Sequence, residues 1–368
     1  MNNQIYIIAG EPSGDCIGHE VIKSLHSLHP KINLKGIGGI LMEEVGVKSL
    51  FDIKEIAIGG IVEVIPKALK IKKLIDLAIC DIKKINPSVL LTIDSPGFCF
   101  RIAKKIKKEL PNTKLIHIVA PSVWAWRKGR AKSIAKLYDC LLTLFDFEPR
   151  YFSKFGLDVR FIGHPAIQKF NSTNNEKSNE ILVMPGSRDQ EVVKLLPVFI
   201  DAARKIKANK IIIPTLPHLK KLIQSLTNGG DIIIVENEQE KLMYYRRAKL
   251  AIVASGTATL QLALSKCPMV VCYKIANITY KILRKLVRVK YISLVNIILN
   301  RRVVPELIQN DCTSEKIVME CNQLNFAEQI KNFSKLQKKI QNGCEYPSDI
   351  AANVIAEYMK KSKIKQKI

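Results

Sequence analysis

Along this chain, short apolar runs rich in Ile, Val and Leu alternate with longer segments in which apolar positions recur every three or four residues. Runs without internal polar alternation fit strands buried on both faces, and the longer period fits amphipathic helices, so the pattern predicts parallel, doubly wound α/β sheets. Strands are predicted near 5–9, 34–37, 89–93, 115–119, 140–144 and 159–162, and a second set near 181–184, 210–214, 231–235, 250–254 and 269–273. Between the sets, Asn171-Ser-Thr-Asn-Asn-Glu-Lys-Ser-Asn179 is polar throughout and cannot bury itself, which marks a linker. The predicted organisation is a Rossmann-like domain over 1–168, a linker over 169–179, and a second Rossmann-like domain over 180–345. A helix and basic tail over 346–368 follow, able to pack back on the N-terminal domain. Beyond Thr313 only helical periods remain, and the charged stretch from Lys360 is expected to fray.

The same local device occurs once in each half. A β-branched run enters a glycine turn that opens a helix, first at Ala9-Gly-Glu-Pro-Ser-Gly-Asp15 and again at Met184-Pro-Gly-Ser-Arg-Asp189. Glycine lets backbone N–H groups approach an anion, and the positive end of the following helix favours one there. Neither turn has the full spacing of a dinucleotide fingerprint or a phosphate loop, so each alone reads first as an ordinary strand-to-helix turn. Their repetition points to two nucleotide-sized domains facing one cleft.

Length supports that count, since 368 residues exceed one typical core and suit two domains. The charge is lopsided, with 58 Lys and Arg against 33 Asp and Glu, a formal net of +25. Such a field suits a polyanionic partner such as an anionic membrane, a phosphorylated substrate or nucleic acid. Lysines spread over solvated helix faces account for it equally well. Nine cysteines, odd in number and without C-x-x-C spacing, read as reduced thiols of a cytoplasmic protein. No signal peptide and no spanning helix are expected. The six histidines show no ligand spacing, and Asp146-Phe-Glu148, the nearest approach to a D-x-D pair, reads as helix capping before Pro149. No metal and no cofactor are therefore expected.

In open parallel sheets, ligands sit beyond the carboxyl ends of the strands. Asp94 closes an apolar strand and precedes Ser95-Pro-Gly97, which makes it either a general base at the sheet mouth or a cap for the next helix. Gly186, Ser187 and Arg188 open one helix of the second half, and Ser255, Gly256 and Thr257 another. Together these can grip a diphosphate, with Arg188 neutralising charge on a leaving phosphate. Both tryptophans, Trp124 and Trp126, lie in Pro121-Ser-Val-Trp-Ala-Trp-Arg127, where a sugar face, an acyl chain or a domain interface can use them. From Ile58 to Ile79 an apolar stripe interleaves with Lys67, Lys70, Lys72 and Lys73, a composition suited to a membrane interface or to packing on the sheet.

Taken in order, Ala9-Gly-Glu-Pro-Ser-Gly-Asp15, Gly59-Gly-Ile-Val-Glu-Val64, Ile93-Asp-Ser-Pro-Gly-Phe98, Pro121-Ser-Val-Trp-Ala-Trp-Arg127, Phe161-Ile-Gly-His-Pro165, Pro185-Gly-Ser-Arg188, Ala254-Ser-Gly-Thr257 and Lys266-Cys-Pro-Met-Val-Val271 closely resemble the lipid-A-disaccharide synthase family. The resemblance implies a GT-B fold with an interdomain cleft, in a cytoplasmic enzyme held peripherally on the inner membrane. It implies inverting transfer of 2,3-diacylglucosamine from its UDP derivative to the 6-hydroxyl of 2,3-diacylglucosamine 1-phosphate, giving a β-1,6-linked disaccharide 1-phosphate and UDP. The implied partners are those two acylated sugars and an anionic membrane surface, with no nucleic acid. A homodimer is left open.

Carried over by position, Asp94 resembles the family's essential carboxylate, and Glu11 with Ser13 lines the acceptor side, joined by Trp124 and Trp126. Gly186, Ser187, Arg188, Ser255, Gly256 and Thr257 resemble the donor diphosphate site, with Gln261, Asn296, Glu306 and Gln309 completing the donor pocket. Val62, Val64, Ile65, Ala68 and Ile71 resemble the membrane-docking surface. The chain departs from the pattern at Gln261, where a ribose-binding glutamate is usual, at Cys99, where asparagine is common, and at Gln168, where aspartate often follows Gly-His-Pro. Gln261 keeps hydrogen-bonding capacity but lacks the charge that strengthens it. Two other readings stay open: another UDP-sugar enzyme of the same architecture, such as an epimerase or a soluble-acceptor transferase, and a non-catalytic nucleic-acid-binding protein suggested by the charge alone.

Overall fold

The computed structural model describes residues 4–365 except 57–60, 126–128, 171–177, 277–279, 281–283, 285–288 and 344, and gives the backbone alone for 61–67 and 363–365. Two compact units emerge, one of Met1–Pro165 with Ile340–Ile368, the other of Ala166–Lys339.

In the first unit, strands β1 (Gln4–Ala9), β2 (Asn33–Ile37), β3 (Val89–Ile93), β4 (Lys114–Ile118), β5 (Cys140–Thr143) and β6 (Asp158–Phe161) form one sheet in the order β2-β1-β3-β4-β5-β6, every pair parallel. Ile5, Tyr6, Ile7, Ile8 and Ala9 are wholly buried, which is why this strand shows no polar alternation. Each such aliphatic side chain contributes roughly 1.5–3 kcal/mol by burial. The chain leaves β1 for β2 on one flank, then crosses back to β3 on the other. The switch point therefore lies between β1 and β3, where a crevice opens beyond the strand ends.

The second unit repeats the plan with β7 (Glu180–Met184), β8 (Lys210–Pro214), β9 (Ile232–Val235), β10 (Leu250–Ala254), β11 (Met269–Tyr273) and β12 (Glu306–Ile308), ordered β12-β11-β10-β7-β8-β9 and again all parallel. Its switch point lies between β7 and β10. The short β12 was not among the predicted strands. It has three residues and begins with a glutamate, too little apolar length to register as a strand.

The end of the chain returns to the first unit. Helix Pro347–Lys365 packs on helix Pro12–Leu28, fixed by Ser24 donating to Asp349 at 2.6 Å, Arg160 pairing with Glu357 at 2.7 Å, and Tyr358 donating to Asp158 at 2.8 Å. Ser362, 1% exposed, donates to the Asn112 carbonyl. The segment expected to fray from Lys360 is thus helical to Lys365.

Candidate active site

Each unit places part of its singled-out polar residues at its own switch point. In the first, the turn after β1 and the turn after β3 are neighbours because those strands pair, Ala9 opposite Ile93. They touch: a Cβ on Gly10 would run into the side chain of Ser95, so only glycine lets the two turns close on each other. Pro12 and Pro96 each open a helix in its first turn, where a missing N–H costs nothing.

Asp94 sits where those turns meet. Its Oδ1 accepts from the Ser95 amide at 2.8 Å and its Oδ2 from the Ser13 hydroxyl at 3.4 Å. It does not cap the following helix, whose N-cap is Ser95, so the capping alternative falls away. Burial raises the Asp94 carboxyl above the usual aspartate range, opposed by the Ser95 and Ser13 hydrogen bonds. The backbone here is strained: Asp94 and Ser95 are both left-handed, at φ 52 and 46, and Val119 at the end of neighbouring β4 has φ 77. Each costs on the order of 1–3 kcal/mol and is held by hydrogen bonds from the Asp94 amide to Ile118 and from the Val119 amide to Leu142. The buried Cys99 lies close enough to feel the charge, its thiol pushed up by burial and by Asp94.

Glu11 is exposed at the N-cap of the helix that follows, with Ser13 exposed beside it. Asp15 belongs to the frame: its carboxylate accepts from the amides of Gly39, Leu41 and Met42 at 2.7–3.2 Å and fixes the turn after β2. The half-buried Trp124 meets Phe147 edge-to-face at 5.6 Å, and Phe145 stacks between Phe147 and His164. Trp126 lies outside the described residues.

Glu148, expected to cap the helix it precedes, turns the other way and accepts from the amides of Leu144 and Phe145 at 3.2 and 3.1 Å. The strand-end amides outcompete the helix because they are buried with it. Burial pushes the Glu148 carboxyl up to about 8, and pushes the imidazoles of His164 and His117 down to about 4 and about 3. Their ordinary values are 4.5 for the carboxyl and 6.5 for the imidazoles. The histidines therefore contribute stability that is present above pH 6.5 and lost on acidification. Glu148 contributes stability that is complete below pH 4.5 and lost as pH rises through about 8. Between pH 6.5 and 8 only the Glu148 effect of these three remains, so unfolding free energy in urea should fall there by at most about 1.4 kcal/mol per pH unit. Glu148→Gln should flatten that limb; an equally steep limb in the variant would assign it elsewhere.

In the second unit the paired strands β7 and β10 bring two helix starts side by side. Pro185 ends the first strand, Gly186 takes φ 120, and Ser187 and Arg188 stand exposed before helix Asp189–Lys205. Across from them, Ser255 is tied through its hydroxyl to the Ile292 carbonyl at 2.8 Å, while Gly256 and Thr257 are exposed at the start of helix Thr257–Leu264. Gln261 is half-buried in the same helix.

Asn296, Glu306 and Gln309 turn their side chains inward. Asn296 is fully buried, donating to Val304 and Glu306 and accepting from the amides of Val303 and Val304. Glu306 also takes the amides of Ile292 and Ser293, and Gln309 exchanges two hydrogen bonds with the backbone of Ile275. These three brace the segment that follows β11.

Helix Ile61–Ile85 carries the expected docking residues. Ala68 and Leu69 are exposed, Leu69 at 78%, and Ile71 is half-buried against the core. The side chains of Val62, Val64 and Ile65 lie outside the described residues. Among the described residues, no group of three His, Cys, Asp or Glu side chains is placed to hold a metal ion, and no helix is long and apolar enough to cross a membrane.

Residues 5–362 match the family model described as Lipid-A-disaccharide synthetase. A protein named lipid-A-disaccharide synthase from Rickettsia prowazekii (strain Madrid E) is 41% identical over 376 residues, covering 96% of this chain and 99% of that one. Its namesake from Rickettsia bellii (strain OSU 85-389) is 41% identical over 384 residues, covering 96% and 98%. Among solved structures, a UDP-GlcNAc 2-epimerase from Methanocaldococcus jannaschii in complex with UDP-GlcNAc and UDP matches with TM-score 0.64 at 14% identity, covering 96% of this chain and 99% of that one. A glycotransferase of kitacinnamycin matches with TM-score 0.64 at 12% identity, covering 98% and 100%. At those identities the structures share the fold.

Proposed function

The chain belongs to the lipid-A-disaccharide synthetase family, a glycosyltransferase of the GT-B type, and from that premise we propose that it condenses UDP-2,3-diacylglucosamine with 2,3-diacylglucosamine 1-phosphate. Membership favours this reading over an epimerase, a soluble-acceptor transferase and a nucleic-acid-binding protein. The observation that carries the proposal is the paired placement of polar groups at the two switch points: Asp94 beside Ser13 in one unit, and Ser187, Arg188, Gly256 and Thr257 in the other.

In this reading the Asp94 carboxylate takes the proton of the acceptor 6-hydroxyl as its oxygen bonds to the donor's anomeric carbon. The bond from that carbon to the β-phosphate oxygen breaks, and its electron pair leaves with UDP. Attack from the opposite face inverts the centre. Arg188 and the two helix starts stabilise the departing diphosphate without a metal, which is electrostatic stabilisation by groups already in position. Glu11, Trp124 and Trp126 serve the acceptor. Gln261 meets the ribose through a neutral hydrogen bond, and Asn296, Glu306 and Gln309 act on the donor by holding the loop that borders it.

Both substrates are lipids, so the basic, apolar face of helix Ile61–Ile85 is assigned to the cytoplasmic side of the inner membrane. Incubating the purified protein with both precursors should yield a disaccharide 1-phosphate and free UDP by mass spectrometry; UDP release without the disaccharide would refute the assigned acceptor. The variant Leu69→Ser, Lys72→Glu should sediment several-fold less with anionic vesicles than the parent, and equal sedimentation would remove the docking face.

A further inference from the structure

The donors assigned to the diphosphate already surround an anion of the protein's own. Glu191, in the first turn of helix Asp189–Lys205, folds back across the glycine turn. Its Oε2 accepts from the Ser187 amide at 3.0 Å, and its Oε1 stands 3.3 Å from a guanidinium nitrogen of Arg188. Tyr273, at the end of β11, stands near enough that burial and the Glu191 charge together push its phenol above the ordinary range. The Glu191 side chain is 13% exposed, against 61% for Arg188. At Gly186, with φ 120, any Cβ would collide with that same Oε2, so the turn keeps glycine to let the carboxylate lie over it.

A glutamate in the first helical turn that bonds back to an upstream amide is a familiar cap. A cap needs only the amide. Here a main-chain N–H and a guanidinium converge on one carboxylate, donors of the kind that a phosphate oxygen selects. Two anions cannot share those donors, and a carboxylate beside a diphosphate adds like-charge repulsion.

Resting on the donor-site reading above, we propose that Glu191 is a positioning residue that acts as the resting counter-anion of the diphosphate seat. It holds Ser187 and Arg188 in place, must rotate away when a nucleoside diphosphate binds, and by returning favours release of the product. Affinity for UDP is then a competition between ligand and side chain.

The test titrates UDP into the full-length protein by calorimetry, with release followed by stopped flow. Glu191→Gln keeps an acceptor for the Ser187 amide but removes the charge, and should bind UDP about 5- to 10-fold tighter with slower dissociation at an unchanged Tm. Glu191→Ala should also tighten binding, with a lower Tm from the lost cap. If Glu191→Gln binds UDP no more tightly than the parent, while Arg188→Ala still weakens binding, Glu191 is a cap alone and the proposal fails on its own. If the parent does not bind UDP and Arg188→Ala changes nothing, the donor-site reading falls and takes this inference with it.

Discussion

Replacing Asp94 by asparagine should slow turnover about 10²- to 10⁴-fold while leaving a folded protein that binds UDP. Asparagine is the substitution to make because residue 94 is left-handed, a conformation that asparagine tolerates and alanine resists. The asparagine oxygen still accepts from the Ser95 amide, and its NH2 donates to the Ser13 hydroxyl in place of the bond accepted there, so the turn survives and only the capacity to take a proton is lost. The parent should lose activity on acidification at a pH above the ordinary aspartate range, because burial raises this carboxyl. That acidic limb should be absent from the residual activity of the variant. Steady-state rates across pH, with circular dichroism and UDP titration as controls, decide the matter. Near-parental turnover in Asp94→Asn would end the general-base assignment.

Arg188→Ala should cost about 10²- to 10³-fold in kcat/KM, the usual effect of deleting one preorganised group aimed at a leaving charge. Arg188 is well exposed, and among the described residues its guanidinium is tied by the contact with Glu191 alone, so the loss should leave Tm within about a degree. Lysine should recover part of the rate, having the charge without the planar fork. Kinetics with saturating acceptor and varied donor separate the two effects. A variant with unchanged kcat/KM would move the diphosphate to the other helix start, at Gly256 and Thr257.

The two parallel sheets were legible because strands buried on both faces must be apolar at successive positions, as Ile5–Ala9 and Leu250–Ala254 are. The turns after β1, β3, β7 and β10 were legible for a related reason, since each carries a glycine or proline at the strand end, and local geometry requires the glycine at Gly10 and Gly186. What depends on contacts between distant segments left no mark. Nothing near Asp15 in the chain announces the amides of Gly39, Leu41 and Met42 that it satisfies, and nothing near Glu191 announces Tyr273. Glu148 misled for the converse reason: its place before a proline is that of a cap, yet the strand-end amides behind it are the buried partners. Resemblance singled out Asn296, Glu306 and Gln309 but said nothing of their inward bonding. The left-handed backbone at Asp94, Ser95 and Val119 is likewise invisible in residue types that seldom adopt it.

Helix Pro347–Lys365 completes the unit begun by Met1, whereas Ala166–Lys339 is contiguous. During synthesis, at roughly 5–20 residues per second, the order of birth and the order of completion are therefore reversed. The half that leaves the ribosome first waits, with one flank of helix Pro12–Leu28 uncovered, until helix Pro347–Lys365 has been made, and the half born later has its whole sequence first. A nascent chain thus carries the carboxylate-bearing half unfinished after the later half is whole, and a protease that removes helix Pro347–Lys365 strikes at the half made first.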